Sequence, residues 1–121
     1  MILADTSVWI AHFQGKESRL APLLDGEQVV IHPFVIGELA LGKLKDRGQI
    51  LHNLQFLPRV SLATDEETLL WVERRHVFER GVGWIDAHLL LCSILDGVAL
   101  WTRDKALASV ARYCGAELFG S

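Results

Sequence analysis

The sequence predicts an α/β fold: a central, mostly parallel sheet of about four to five strands with helices on both faces. Three observations carry this. Short β-type runs recur along the chain, at Ile2 to Ala4, Val29 to Ile31 and Val98 to Trp101, with weaker ones around Val60 and at Ala116 to Leu118. Segments of helical period separate them, and such alternation is the pattern of a parallel sheet covered by helices. The 121 residues, half of them apolar and 22% charged, suit a single domain over residues 1–121 with one core and argue against disorder.

In chain order, the first strand leads into a helix over residues 7 to 13, and a second short helix over 18 to 25 is stopped by Gly26. After the second strand, Pro33 sits where proline is tolerated, in the first turn of a helix expected to reach Leu44. Another helix follows from about Arg47 to Phe56, before Pro58. Thr64 and Glu67 have the spacing of a capping box and start a long helix that Gly81 is expected to end. A nearly apolar helix from Ile85 to Leu95 stops at Gly97, and the last runs from Lys105 to Tyr113.

No apolar run approaches the roughly 18 residues of a membrane span, and Asp5 interrupts the N-terminus before a signal peptide's apolar region forms. The chain is therefore expected to be soluble and cytoplasmic, with no membrane partner. Cys92 and Cys114 form no CxxC pair and have no ligand spacing with the five scattered histidines, so two free thiols are expected.

Four carboxylates stand where a folded chain would rather place apolar groups: Asp5 closing ILAD, Glu38 inside PFVIGELALG, Asp86 inside GWIDAHLLL and Asp104 after VALWTRD. A carboxylate withdrawn from water without a partner costs several kcal/mol, roughly. Glu38 is the only ionisable group between Phe34 and Gly42, and the nearest cation in its helix, Lys43, lies at i+5 and off its face. In parallel α/β folds ligands bind beyond the carboxyl ends of the strands, where strand order reverses. Asp5 and Asp104 follow their strands, and Glu38 and Asp86 reach the same crevice from helix starts. Four such acids call for a shared cation. All-oxygen ligands favour Mg²⁺ or Mn²⁺ over zinc.

Each acid also has a plainer use. Asp5 and Asp104 are well placed as helix N-caps, and Asp86 as a first-turn acid that complements a helix dipole. Glu38, mid-helix among apolar neighbours and beside Gly37, resists such an account, and glycine there points to close approach by another backbone or a ligand. His88 is expected to be a hydrogen-bonded core or interface residue. The tryptophans are first of all core material, although Trp9 and Trp84 lie close in sequence to the acids.

ILADTSVWI at the start, HPFVIGELALG at 32 to 42, RGVGWIDAHLLLCSIL at 80 to 95 and LWTRDKALASVA at 100 to 111, in this order and in so short a chain, resemble the PIN-domain ribonucleases, in particular the VapC toxins of bacterial toxin–antitoxin pairs. The resemblance runs from residue 1 to about residue 119. It implies a PIN-like fold and places the family's acidic quartet on Asp5, Glu38, Asp86 and Asp104, with Thr6 and Thr102 as candidates for the accompanying hydroxyl. It implies further a Mg²⁺- or Mn²⁺-dependent endoribonuclease acting on a transfer RNA or ribosomal RNA loop, a homodimer, and a VapB-type antitoxin whose tail lies in an apolar groove by the first helices, where Val8, Trp9, Ile10 and Phe13 offer contacts.

A formal charge of −3 is unusual for an RNA binder, but without the four site acids 12 basic residues face 11 acidic ones. Backbone contacts are expected from local cations: Lys43, Lys45 and Arg47 after the Glu38 helix, Arg74, Arg75 and Arg80 late in the long helix, and Arg103 and Lys105 beside Asp104. A phosphoacceptor receiver domain is the nearest rival of another class, but it needs paired acids after the first strand, where Asp5 stands alone. A catalytically inactive module that only binds a partner is the second alternative.

Overall fold

The computed structural model describes residues 1–120. The order of elements is β1 (Ile2–Ala4), α1 (Thr6–Phe13), α2 (Leu20–Asp25), β2 (Val29–Val30), α3 (Pro33–Leu41), α4 (Arg47–Leu54), α5 (Asp65–Arg75), α6 (Trp84–Asp96), β3 (Ala99–Trp101) and α7 (Lys105–Tyr113). The sheet is wholly parallel in the order β2-β1-β3. Ile2 pairs with Val29 and Ala99, and Leu3 with Val30 and Leu100. β1 is central and fully buried, as an uninterrupted apolar strand must be when both faces are covered. From β1 the chain passes to one neighbour and then to the other, so strand order reverses between β1 and β3.

Three strands form rather than the four to five expected. The two weaker candidates reach the sheet only as single parallel bridges, Ile31 with Arg59 and Leu100 with Leu118. Pro58 lacks the N–H that a longer pairing beside Arg59 would use. Around Leu118, Gly115 and Gly120 both take positive φ and confine the segment to one bridge.

Helix starts follow the sequence closely, and so do the ends of α1, α2, α6 and α7, whereas α3, α4 and α5 stop early. The capping box forms, with Glu67 N donating to Thr64 Oγ1 at 3.0 Å and Thr64 N to Glu67 Oε1 at 3.1 Å. The helix it starts ends at Arg75, not near Gly81, because His76 turns left-handed at φ 53° and carries Val77 into the core. Val77 N then closes on Val72 O at 3.0 Å. Arg80 consequently lies in the loop before α6 rather than late in a helix. α3 ends at Leu41, three residues short of expectation, because Gly42 is extended.

The core lies between sheet and helices, with Leu3, Val8, Leu20, Val35, Leu89, Leu90, Leu100 and Leu107 all sealed from solvent. Each such side chain contributes about 1.5–3 kcal/mol of burial. α6 is buried without a break from Ala87 to Ser93 and fixes the depth at which its first turn meets the sheet. Among the described residues, no helix is long and apolar enough to cross a membrane. Both cysteines are free thiols.

Candidate active site

Asp5 and Thr102 stand side by side where the chain leaves the two adjacent strands. Asp5 N donates to Trp101 O at 2.9 Å, which continues the ladder by one residue and fixes both chain exits together. Asp5 is buried, and its carboxylate accepts from the Thr102 hydroxyl, from Ser7 Oγ at 2.5 Å and from Val8 N at 3.2 Å, the last as the N-cap of α1. Burial raises the Asp5 carboxyl above the usual range, and these hydrogen bonds oppose the rise.

The other three acids arrive from helices. Glu38, in the second turn of α3, accepts from Thr6 Oγ1 at 2.6 Å. Asp86, in the first turn of α6, accepts from the backbone N–H of Gly83. Asp104 caps α7 through Ala106 N at 2.8 Å and Leu107 N at 3.1 Å, and its own N–H donates to Thr102 Oγ1 at 3.0 Å. The capping roles expected of Asp5 and Asp104 are therefore both present.

Asp86 links the four acids electrostatically. Its carboxyl is pushed up first by burial and then by the negative charges of Asp5, Asp104 and Glu38. All three neighbours act on one group, each disfavouring its charged form. No set of three or more His, Cys, Asp or Glu side chains among the described residues is arranged as a ready-made metal cage. Glu38 is held by Thr6, Asp104 by its own helix and Asp5 by two hydroxyls. The donor set itself, anionic oxygens with no thiolate or imidazole, fits a hard divalent cation.

Ser7 was not anticipated as a site residue. Its hydroxyl donates to Asp5 and accepts from Arg103 N at 3.0 Å, tying α1 to the loop that carries Asp104. Its spacing of two from Asp5 in a helical first turn was the available signal.

The cation candidates divide. Lys43, Lys45 and Lys105 are exposed, and Lys43 and Lys45 rim a cavity of about 290 Å³ that Glu38, Ile10, Phe13 and Leu44 also line. Arg80 lies over the Tyr113 ring at 3.7 Å and donates to His76 O. Arg103 reaches Lys16 O at 3.5 Å and Glu17 at 3.6 Å.

Of the tryptophans close in sequence to the acids, Trp9 is buried and its indole N–H has no hydrogen-bond partner. Trp84 is 41% exposed, edge-on to His88 at 4.6 Å. His88 is a core residue, its Nδ1 3.4 Å from Thr68 Oγ1. Its Nε2 is 3.0 Å from Asp65 but outside hydrogen-bonding geometry. No other part of the chain approaches Gly37: a Cβ there would meet nothing within 4 Å.

Comparison with known proteins identifies the family. The PIN domain family model matches residues 2–113. The chain belongs to the PIN-domain family and, within it, to the VapC type. Two relatives named Ribonuclease VapC32, from Mycobacterium tuberculosis strains CDC 1551 / Oshkosh and ATCC 25618 / H37Rv, are each 43% identical over 119 residues, covering 98% of this chain and 96% of theirs.

Proposed function

We propose that the protein is a divalent-metal-dependent endoribonuclease, the toxin of a toxin–antitoxin pair, acting in the cytoplasm as a single PIN domain over residues 1–121. It hydrolyses phosphodiester bonds in a structured RNA, a transfer RNA or ribosomal RNA loop, and so inhibits translation. One observation carries the reading: the buried carboxylate of Asp5, held by Thr102 and Ser7 where β1 and β3 end, lies in a chain 43% identical over nearly its whole length to a protein named as a ribonuclease. Family membership removes the receiver-domain alternative.

Asp5 and Asp86 are the proposed first ligands of Mg²⁺ or Mn²⁺, with Asp104 and Thr102 at a second position. A bound divalent ion lowers the pKa of its water and offsets charge on the attacking and leaving oxygens. The chain supplies the rest. Ser7 and Thr102 hold the Asp5 carboxylate in one orientation from both sides. Thr6 directs Glu38 Oε1, leaving its second oxygen to accept a proton of the attacking water. Lys43 and Lys105, exposed near Glu38 and Asp104, face the RNA backbone, while the other two candidates are engaged within the chain, Arg80 with Tyr113 and His76 and Arg103 with Glu17 and Lys16.

The cavity lined by Ile10, Phe13 and Leu44 beside Glu38 suits the tail of a VapB-type antitoxin. Val8 and Trp9, offered as contacts by the sequence, are buried and serve the core. The homodimer is proposed to use α3, where Phe34, Gly37 and Leu41 share one face and Leu41 is 91% exposed. Leu41→Asp is expected to give a monomer by sedimentation; a surviving dimer would move the contact elsewhere.

The direct test is cleavage of total cellular RNA by purified protein with Mn²⁺ or Mg²⁺, beside EDTA and Asp5→Asn controls, with new 5′ ends mapped. Cuts at one or a few sites, lost in both controls, support the enzyme. No cuts from folded, antitoxin-free protein would leave the binding module.

A further inference from the structure

Glu17 is a carboxylate the sequence did not mark, and it is 8% exposed in the loop between α1 and α2. Such a charge needs partners to stay ionised out of water. Arg19 supplies a forked pair, Nε at 3.1 Å and Nη2 at 3.0 Å, and its backbone N–H adds a third bond at 3.2 Å. These contacts hold the Glu17 carboxyl below the usual range. The same guanidinium lies over Trp101, the last residue of β3, at 5.1 Å. Glu17 is thus fixed to the end of the strand from which the site loop departs.

The second partner is Arg103, whose Nη1 is 3.6 Å from Glu17 Oε1 and 3.5 Å from Lys16 O. Arg103 stands between Thr102, which donates to Asp5, and Asp104, which caps α7. Its backbone N–H is held by Ser7. The residue between two site groups is therefore fastened twice, by its backbone to α1 and by its side chain to a buried anion that is anchored independently.

We propose that Glu17 is a positioning residue: acting through Arg103, it holds the 102–104 loop so that Thr102 and Asp104 keep their places against Asp5, and the cation affinity of the site depends on it. This rests on the metal-dependent reading of the site. A field effect and a positioning effect differ in sign. Glu17 is an anion and Arg103 a cation, so through space their removal would weaken and strengthen cation binding respectively. Positioning makes both losses weaken it.

The test measures Mn²⁺ binding by calorimetry and Mn²⁺-dependent RNA cleavage for the full chain and for Glu17→Gln, Arg103→Ala and the double variant. Val60→Ala, buried and bonded through its N–H to Ile31 O, serves as a destabilised control. Expected is about a tenfold or greater rise in half-saturating Mn²⁺ for each single variant, the range seen when groups supporting metal ligands are lost. The KM for RNA should not change in Glu17→Gln, and the double variant should be no worse than the singles in half-saturating Mn²⁺. Val60→Ala should lose thermal stability without a change in half-saturation. Opposite signs for Glu17→Gln and Arg103→Ala, unchanged half-saturation in Glu17→Gln, or an equal shift in Val60→Ala would overturn the proposal while the nuclease reading stands. A wild-type chain that neither binds Mn²⁺ nor cleaves would overturn both.

Discussion

Thr102 donates its hydroxyl to Asp5 across 97 positions of sequence and accepts the N–H of Asp104 in return, so one side chain serves two members of the acidic quartet. Valine at 102 keeps the shape and removes both bonds. Thr102→Val is expected to lower metal-dependent cleavage about 10- to 100-fold, the usual cost of losing a group that orients a metal ligand. Thr102→Ser should retain most activity. Equal activity of the valine and wild-type proteins in a single-turnover assay would sink the assignment.

Asp104 combines two uses that substitution can separate. Asparagine caps helices about as well as aspartate, whereas alanine costs about 1 kcal/mol. Asp104→Asn should therefore keep the bonds to Ala106 N and Leu107 N and the wild-type melting temperature, yet lose most metal-dependent activity. Asp104→Ala should lose both. An Asp104→Asn protein with full activity would reduce the residue to a helix cap.

The four acids were legible because a carboxylate at a strand end or within an apolar helical run is an exception to local rules, and exceptions survive in a linear reading. Ser7 and Glu17 were not. A serine in a first turn looks ordinary, and its second partner, Arg103 N, lies 96 residues away. Glu17 reads as a solvated loop residue until Arg19 and Arg103 close over it. The same division runs through the fold. Thr64 and Glu67 start α5 by a contact three residues long, which sequence records. Its end depends on the burial of Val77, which sequence does not record, so the glycine at 81 drew the expectation. The runs near Arg59 and Leu118 have strand composition, but pairing beyond one bridge was decided by Pro58 and by two glycines of positive φ.

Asp86 has a carboxyl raised above its ordinary value of 3.8, first by burial and then by three anions. Stability from a raised carboxyl is full below the unfolded value and is lost as pH rises through the folded one. At neutral pH the metal-free protein is thus destabilised by its own site. Asp86→Asn keeps an oxygen for the Gly83 N–H and removes the charge. It should raise the metal-free melting temperature at pH 7 by a few degrees, about 1 kcal/mol or less after solvent screening. The gain should shrink toward pH 3.8, and Mn²⁺ should stabilise the wild type more than the variant. An unchanged or lower melting temperature at neutral pH would mean that the four carboxylates do not strain the fold.

His32 sets the opposite dependence. Its Nδ1 accepts from Phe34 N at 2.9 Å to cap α3, while Nε2 is buried without a partner and the rings of Phe34 and His88 lie 4.7 and 6.2 Å away. Burial, followed by the proximity of His88 and Arg59, lowers its pKa from 6.5 to about 4. The fold therefore favours the neutral ring. Its contribution is full above pH 6.5 and is lost as pH falls toward 4, about 3 kcal/mol across the window. Asparagine at 32 caps the helix without titrating in this range. Urea unfolding from about pH 7 to about pH 4 should show the wild type losing stability relative to His32→Asn by that order. Because Asp5 and Asp86 are shared by both proteins, their opposing trend cancels in the comparison. Parallel curves for the two proteins would show that the buried ring at 32 accepts its proton at little cost and that acid lability arises elsewhere.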